Sequence, residues 1–125
     1  MPRILVVDDN QDSREVVKAL IAAAHSGYQI DLAADAEEAI SSIGESSYDL
    51  FILDYMMPEM SGVELCRWIR LANRRVPVLF LSALDGPMHK LIAQEAGATE
   101  YLTKPDGLEE LAEAVPRLIE ESRQR

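Results

Sequence analysis

Short, wholly apolar runs alternate with amphipathic stretches along the chain, and this alternation limits the folds that the sequence can adopt. Residues 4–7, 50–53 and 76–81 are such runs, rich in branched or aromatic side chains. They are typical of strands buried on both faces of a parallel sheet. Residues 29–32 and 100–103 mix polar and apolar side chains, which suits edge strands. Five strands separated by helical stretches predict an α/β domain.

The stretches between the strands carry apolar residues at helical spacing together with start and stop signals. Capping-box spacing occurs at Asp35 with Glu38, at Ser61 with Glu64 and at Asp106 with Glu109. The sequence Asp-Gly-Pro at residues 85–87 can open the fourth helix, and Gly97 can close it. Pro116 interrupts the apolar stripe of the last helix and should kink or shorten that helix.

The two kinds of strand predict the order of the sheet. Strands one, three and four suit central positions, and strands two and five suit edges. With right-handed crossovers the simplest arrangement is flavodoxin-like: one doubly wound, five-stranded parallel sheet of order 2-1-3-4-5 with helices on both faces. The 125 residues fit one domain, residues 1–125, in which residues 120–125 are a helix end or the start of a linker.

Polar residues stand where the predicted strands end. Asp8 and Asp9 follow the first strand, Asp54 the third, Ser82 the fourth and Lys104 the fifth. Ligands of open α/β sheets bind at the carboxyl ends of strands, where the connections change direction, here between strands one and three. Three converging carboxylates repel one another unless a cation lies between them. Mg²⁺ suits this site, because it takes carboxylate ligands, keeps waters and leaves room for a phosphoryl oxygen.

This set of residues has the parts needed for phosphoryl transfer. Asp54 is the nucleophile candidate, since carboxylates can form aspartyl-phosphates. Asp8 and Asp9 would hold the metal, while Lys104 would pair with the phosphoryl group and Ser82 would hydrogen-bond to it. Positioned cations and donors stabilise the negative charge that the transition state spreads over the phosphoryl oxygens.

Charge and composition restrict the partners. Twenty-two acidic residues against 12 Lys and Arg give a net charge of −10, which opposes direct binding to nucleic acid or to an anionic membrane. No apolar run reaches the length of a membrane span. Cys66 is the only cysteine, so an internal disulfide and a cysteine-based zinc site are excluded, and a reducing cytoplasm is indicated.

Several conspicuous side chains are given structural roles only. Cys66 is expected in the core, and Trp68 is expected to be partly packed on the third helix. His25 and His89 lie in polar helical surroundings and are expected to be solvated, without a role. Tyr101 fits a packed edge-strand aromatic as well as a moving one.

Four motifs follow one another at the strand ends: ILVVDD at residues 4–9, DYMMPEMSG at 54–62, Ser-Ala at 82–83 and YLTKP at 101–105. Taken together, they resemble the receiver domain of two-component response regulators, over nearly the whole chain. The resemblance implies that Asp54 accepts a phosphoryl group from a histidine kinase or a histidine phosphotransfer protein.

The resemblance also implies a ligand set and a backbone feature. Asp9 and Asp54 would bind Mg²⁺ directly, Asp8 would act partly through water, and the backbone carbonyl of Met56 would be a further ligand. The peptide bond between Lys104 and Pro105 would be cis, which costs little before proline.

A conformational switch is a further implication of the resemblance. Ser82 would move toward the aspartyl-phosphate and Tyr101 would turn inward, repacking the face made by the fourth helix, fifth strand and fifth helix. That face would contact an output protein or an attached output domain, and a phosphorylation-dependent dimer is kept open. The chain would be cytoplasmic and would catalyse only its own phosphorylation and dephosphorylation, so it is not classed as an enzyme.

Three other functions are weighed against this one. A Mg²⁺-dependent phosphatase or phosphotransferase of the haloacid-dehalogenase type needs a second aspartate two residues after the nucleophile, where Asn10 stands after Asp8. A flavin-binding module needs a phosphate loop rich in Ser, Thr and Gly, but residues 9–12 would repel a phosphate. A phosphorylation-independent binding module is disfavoured because every acceptor-site residue is present.

Overall fold

Each predicted strand segment forms one strand of a single parallel sheet in a computed structural model that describes residues 1–124. The strands are β1 Arg3–Val7, β2 Gln29–Ala33, β3 Leu50–Leu53, β4 Val78–Ser82 and β5 Glu100–Thr103. Their order is β2-β1-β3-β4-β5, and all four pairings are parallel, which confirms the predicted topology. All residues of β3 and β4 are buried, whereas β2 and β5 keep partly exposed positions, as expected of edges.

Five α-helices cover the two faces of this sheet. They are α1 Gln11–Ala24, α2 Ala36–Glu45, α3 Gly62–Ala72, α4 Pro87–Ala96 and α5 Leu111–Arg123. Helices α1 and α5 pack on one face, against Ile4 and Val6 of β1 among others. Helices α2, α3 and α4 pack on the other face, where Leu5 and Val7 of the same strand point. The alternation of β1 side chains between two apolar cores is the period-two pattern of a strand covered on both sides.

Two of the predicted capping boxes start helices. At α3 the Ser61 hydroxyl accepts from the Glu64 amide at 3.2 Å, and the Glu64 carboxylate accepts from the Ser61 amide at 3.3 Å. At α2 the Asp35 carboxylate accepts from the Glu38 amide at 2.8 Å, but Glu38 reaches back to the amide of Ala34. Helix α4 starts at Pro87 and ends at Gly97, whose φ of 111° is left-handed, also as predicted.

The third predicted capping box is wrong. Asp106 and Glu109 lie in a 3₁₀ helix, Asp106–Glu110, which has no side-chain cap, and α5 begins only at Leu111. The chain passes very close to β5 here, because a Cβ at Gly107 would lie 2.8 Å from the Cβ of Leu102. The tighter 3₁₀ turn accompanies this close approach.

Helix α5 continues through Pro116 to Arg123, so proline does not end it. A proline cannot donate to the carbonyl four residues earlier, and that carbonyl, of Ala112, lies 2.9 Å from Nε2 of His25. The expectation that His25 is solvated and idle is therefore wrong. Residues 120–123 belong to the helix, and Arg125 lies outside the described residues. Within residues 1–124, none of the helices has the length and apolar character needed to cross a membrane.

Candidate functional site

The predicted carboxylates meet at the carboxyl end of the sheet. Val7 pairs with Leu53 in the register of β1 and β3, so Asp8 and Asp54 leave neighbouring strands at the same level. One carboxylate oxygen from each of Asp8, Asp9 and Asp54 lies within 4.8 Å of the others. A group of three oxygen donors at this spacing could hold a divalent cation.

The three carboxylates differ in burial, and only Asp8 is fixed on several sides. Its side chain is 5% exposed, and it accepts hydrogen bonds from the Asn10 amide at 2.9 Å and from Lys104 Nζ at 2.8 Å. Asp54 is half-buried, and Asp9 is exposed. The cluster is therefore anchored by Asp8 and opens to solvent at Asp9.

Lys104 lies between two of these carboxylates. Its Nζ is 2.8 Å from Asp8 Oδ2, 2.8 Å from the hydroxyl of Ser13 and 4.0 Å from Asp54 Oδ2. The peptide bond between Lys104 and Pro105 is cis, and the Lys104 amide donates to the carbonyl of Ser82 at 2.8 Å. The ammonium group is thus hydrogen-bonded to Asp8 and Ser13, and a small movement of its side chain would bring it into contact with Asp54.

The pKa values of Asp8 and Asp54 are shifted in opposite directions. Burial and the negative charge of Asp8 raise the pKa of Asp54 above its usual range, and Lys104 and Ser82 oppose this only in part. Burial also raises the pKa of Asp8, but hydrogen bonds from Lys104, Asn10 and Ser13 lower it further than burial raises it. Asp54 is therefore the carboxylate whose negative charge the protein compensates less well, and a bound cation would relieve it.

Ser82 and Tyr101 both contact the loop after β4. The Ser82 hydroxyl is buried and accepts from the Leu84 amide at 3.2 Å, while the Tyr101 hydroxyl donates to the Leu84 carbonyl at 2.7 Å. The half-buried Tyr101 ring stacks on Phe80, with ring centroids 5.8 Å apart and planes 3° apart. A displacement of Ser82 would therefore disturb the loop residue to which Tyr101 is bonded.

The loop between β3 and α3 presents Asp54 through close backbone packing. Gly62 lies against the carbonyl of Asp54, and a Cβ at this position would overlap that oxygen. The Gly62 amide donates to the carbonyl of Tyr55 at 2.9 Å, and Glu59 adopts a left-handed φ of 66°. Met56, in the same loop, is 61% exposed.

Four residues near the site were given no functional role from the sequence. Ser13 hydrogen-bonds to Lys104, Arg14 donates to the backbone carbonyl of Asp8 at 2.7 Å, and Gly62 supports Asp54. His89, expected to be solvated, is half-buried and meets the Tyr55 ring edge-on at 5.2 Å. Gly62 had a sequence signal, as a glycine at a helix start, whereas Ser13 and His89 depend on contacts with residues far away in the sequence.

Comparison with known proteins gives the same picture along the chain. The family model for the response regulator receiver domain matches residues 4–116. The response regulators MprA of Mycolicibacterium vanbaalenii and Mycobacterium avium are each 38% identical over 117 residues, which cover 94% of this chain and 50% of theirs. The chain thus spans about half the length of the curated relatives it matches.

Solved structures extend the comparison to three dimensions. The receiver domain of Francisella response regulator 1452 superposes with a TM-score of 0.88 at 33% identity, covering 98% of this chain and 99% of that one. Vibrio cholerae chemotaxis protein CheY4 gives a TM-score of 0.86 at 31% identity, with 94% and 98% covered. The chain therefore belongs to the receiver-domain family of response regulators, the phosphoacceptor switches of two-component signalling.

Proposed function

We propose that Asp54 is the phosphoacceptor of this receiver domain and takes its phosphoryl group from a histidine kinase or a histidine phosphotransfer protein. The observation that carries the proposal is the gathering of Asp8, Asp9 and Asp54 within 4.8 Å, with Lys104 Nζ 4.0 Å from Asp54. Of the two less exposed carboxylates, Asp54 alone is free of a short ion pair, so its oxygen is the better nucleophile.

The donor set of the cluster fits Mg²⁺. Asp8, Asp9 and Asp54 offer carboxylate oxygens, the Met56 backbone carbonyl is proposed as a further ligand, and hard oxygen donors are what this cation prefers. When bound there, Mg²⁺ would neutralise negative charge on the carboxylates and on the incoming phosphoryl oxygens. The exposed position of Asp9 leaves the cluster open to water and to a phosphodonor.

The transfer itself exchanges one bond for another. A carboxylate oxygen of Asp54 attacks the phosphorus of a phosphohistidine, so a P–O bond forms while the P–N bond to the imidazole breaks. Lys104 pairs with the transferred phosphoryl group, moving toward Asp54, and the Ser82 hydroxyl donates a hydrogen bond to it. The chain modifies only itself and turns over no external metabolite.

Phosphorylation would be read through Ser82 and Tyr101. A shift of Ser82 toward the aspartyl-phosphate would disturb Leu84, to which both residues are hydrogen-bonded, and would release Tyr101 to turn inward. This would bias an existing equilibrium between two packings of α4, β5 and α5. We propose that this face contacts the output partner or domain, and that residues 1–125 act as one cytoplasmic receiver domain.

The phosphatase alternative is not favoured by the local geometry. The residue two positions after Asp8 is Asn10, and its side chain accepts a hydrogen bond from the Ser13 amide at 2.9 Å. Asn10 thus serves as the N-cap of α1. Position 10 therefore carries no carboxyl group that could protonate a leaving group.

Intact mass spectrometry tests the assignment. The chain is incubated with Mg²⁺ and acetyl phosphate beside Asp54→Asn and the matched control Asp106→Asn, an exposed aspartate. The wild type and the control should gain the mass of one phosphoryl group, and Asp54→Asn should gain none. Uptake that survives in Asp54→Asn, or that is absent from the wild type, would contradict the proposal.

A further inference from the structure

A run of arginines lies at the end of α3, although the chain as a whole is strongly acidic. Residues 67–75 contain four of the 12 basic residues and no acidic residue. Helix α3 runs antiparallel to the strands, so its last turn lies at the edge where the strands begin. That edge is opposite the one that carries Asp54. The cluster is therefore separate from the phosphoacceptor site.

Arg70 stabilises this region by hydrogen bonds to three backbone carbonyls. Its guanidinium donates to the Gly97 carbonyl at 2.8 and 3.0 Å, to the Val76 carbonyl at 2.6 Å and to the Asn73 carbonyl at 3.1 Å. These bonds tie the end of α3 to the segments that lead into β4 and β5. Side chains on the outer face of α3 are thus presented by a rigid frame.

Three residues at the end of α3 form what we call the arginine patch: Arg67 and Leu71 of the helix, and Arg74, which lies two residues beyond the last residue of the helix. Arg67 and Leu71 are four residues apart and share one side of the helix. All three residues line one open depression of about 860 Å³, whose lining also includes Glu95. The side chain of Leu71 is 88% exposed. Within residues 1–124, neither the Arg67 side chain nor the Arg74 side chain has a hydrogen bond or an ion pair.

Two arginines in the described part of the chain are paired with carboxylates. Arg117 contacts three glutamates and Arg3 contacts Asp31, whereas the side chains of the arginine patch have no such partner. Cations that are unpaired around an exposed aliphatic side chain have the composition of an interface, with a desolvated apolar centre and a charged rim. The charge of the rim selects a negatively charged partner.

We propose that the arginine patch docks an acidic segment of a partner protein, with an apolar side chain of that segment packed on Leu71. Nucleic acid fits less well, since the net charge of −10 repels a phosphate backbone and Leu71 offers no surface on which a base can stack. Because the patch lies at the edge opposite Asp54, docking is independent of phosphorylation.

A displayed library of short random peptides, selected against the whole chain at physiological salt, tests the proposal. The selected peptides should be rich in Asp and Glu around an apolar residue, and their affinity is then measured by fluorescence anisotropy. Arg67→Glu/Arg74→Glu should weaken binding by about tenfold or more, as loss of several interface charges does, and Leu71→Ala should weaken it too. Asp54→Asn should bind as the wild type does, so this result does not depend on the phosphoacceptor assignment.

The matched control is Lys18→Glu/Arg123→Glu, which changes the net charge equally at two exposed sites and should alter affinity by less than about twofold. Arg67→Gln/Arg74→Gln is used as well, with circular dichroism on each variant, so that loss of binding is separated from loss of folding. Selection of neutral or basic peptides, or equal losses in the two charge-reversed variants, would overturn the proposal. So would equally tight binding of a single-stranded oligonucleotide, or self-association that the patch variant abolishes.

Discussion

The Nζ atom of Lys104 lies 2.8 Å from Oδ2 of Asp8, on a carboxylate that is almost fully buried. The same atom is 4.0 Å from Asp54 Oδ2. Lys104 therefore neutralises the charge of Asp8 in this structure. Its ammonium group lies where a metal ion bound to the same carboxylate would lie. Lys104 and a divalent metal should compete for Asp8.

Replacing Lys104 by methionine should separate these two effects. Without the ammonium group, the buried Asp8 carboxylate loses a charged partner, so the metal-free variant should be less stable by about 1–3 kcal/mol. Mg²⁺ should bind several times more tightly, since it becomes the nearest positive charge. Calorimetric titration with Mg²⁺ measures the affinity. Lys90→Met is the control, because Lys90 is an exposed lysine whose ion pair is with the exposed Asp85. Weaker Mg²⁺ binding in Lys104→Met would contradict the competition.

Replacing Asp54 by asparagine should stabilise the metal-free protein. Burial and the charge of Asp8 raise the pKa of Asp54, so its ionised form disfavours folding once the pH rises through that raised pKa. At pH 7 without metal, Asp54→Asn should therefore gain about 1 kcal/mol, and the gain should vanish toward acid pH, where Asp54 is protonated. Saturating Mg²⁺ should reverse the order, because the wild type alone keeps all three carboxylates. Urea unfolding with EDTA and with Mg²⁺ measures both, and a less stable metal-free variant would refute the argument.

Gly62 should be required for the position of Asp54. A Cβ at residue 62 would overlap the Asp54 carbonyl, so Gly62→Ala should cost about 1–3 kcal/mol and slow phosphoryl uptake from acetyl phosphate. Gly44→Ala is the matched control: it lies in α2, nothing stands within 4 Å of its added Cβ, and it should stabilise by up to about 1 kcal/mol. Gly62→Ala with normal stability and normal uptake would show that the loop adapts freely.

Asp31 should make stability depend on pH at the other edge of the sheet. Burial raises the pKa of Asp31, but hydrogen bonds from Tyr48 at 2.7 Å and Arg3 at 2.9 Å lower it below its usual value of 3.8. The stabilisation is thus present above pH 3.8 and is lost as the pH falls through the lower folded pKa. Asp31→Asn should cost about 1–2 kcal/mol at pH 7 and progressively less below pH 3.8 in urea unfolding. A cost that is constant with pH would exclude this ion pair as the cause.

The strands and their order could be predicted because a strand that is buried on both faces has a continuous run of apolar residues, which is visible in the local sequence. The boundary errors have local causes as well. Residues 76–81 read as one apolar run, yet β4 begins at Val78, because Pro77 has no N–H to donate to the ladder. The apolar stripe and the capping-box spacing after residue 106 predicted an α-helix, but the approach of Gly107 to Leu102 favours a tighter turn.

The candidate site could be predicted only as far as strand ends determine it. Asp8, Asp9 and Asp54 come together because adjacent parallel strands end at the same level. Ser13 and Arg14 contact the site from the first turns of α1. The periodicity of a sequence does not indicate which partner a side chain will contact on another element. Contacts of that kind depend on the packed structure.

His25 and Pro116 illustrate such a contact and lead to the last prediction. Pro116 cannot donate to the Ala112 carbonyl, and His25 Nε2 lies 2.9 Å from that oxygen, so the end of α1 supplies a hydrogen bond that α5 cannot form internally. His25→Ala should therefore cost about 1 kcal/mol in urea unfolding, the scale of a single hydrogen bond.

The stability lost in His25→Ala should depend on whether residue 116 is a proline. In a Pro116→Ala background the backbone N–H of residue 116 can satisfy the Ala112 carbonyl, so His25→Ala should cost clearly less, and the double-mutant cycle should give a coupling of at least about 0.5 kcal/mol. His25→Gln, which keeps a donor on the side chain, is the matched variant and should recover part of the loss in the proline background only. Equal costs of His25→Ala with and without Pro116 would mean that the histidine stabilises α1 by packing on Tyr28, whose ring centroid lies 5.4 Å away, and not by serving the carbonyl.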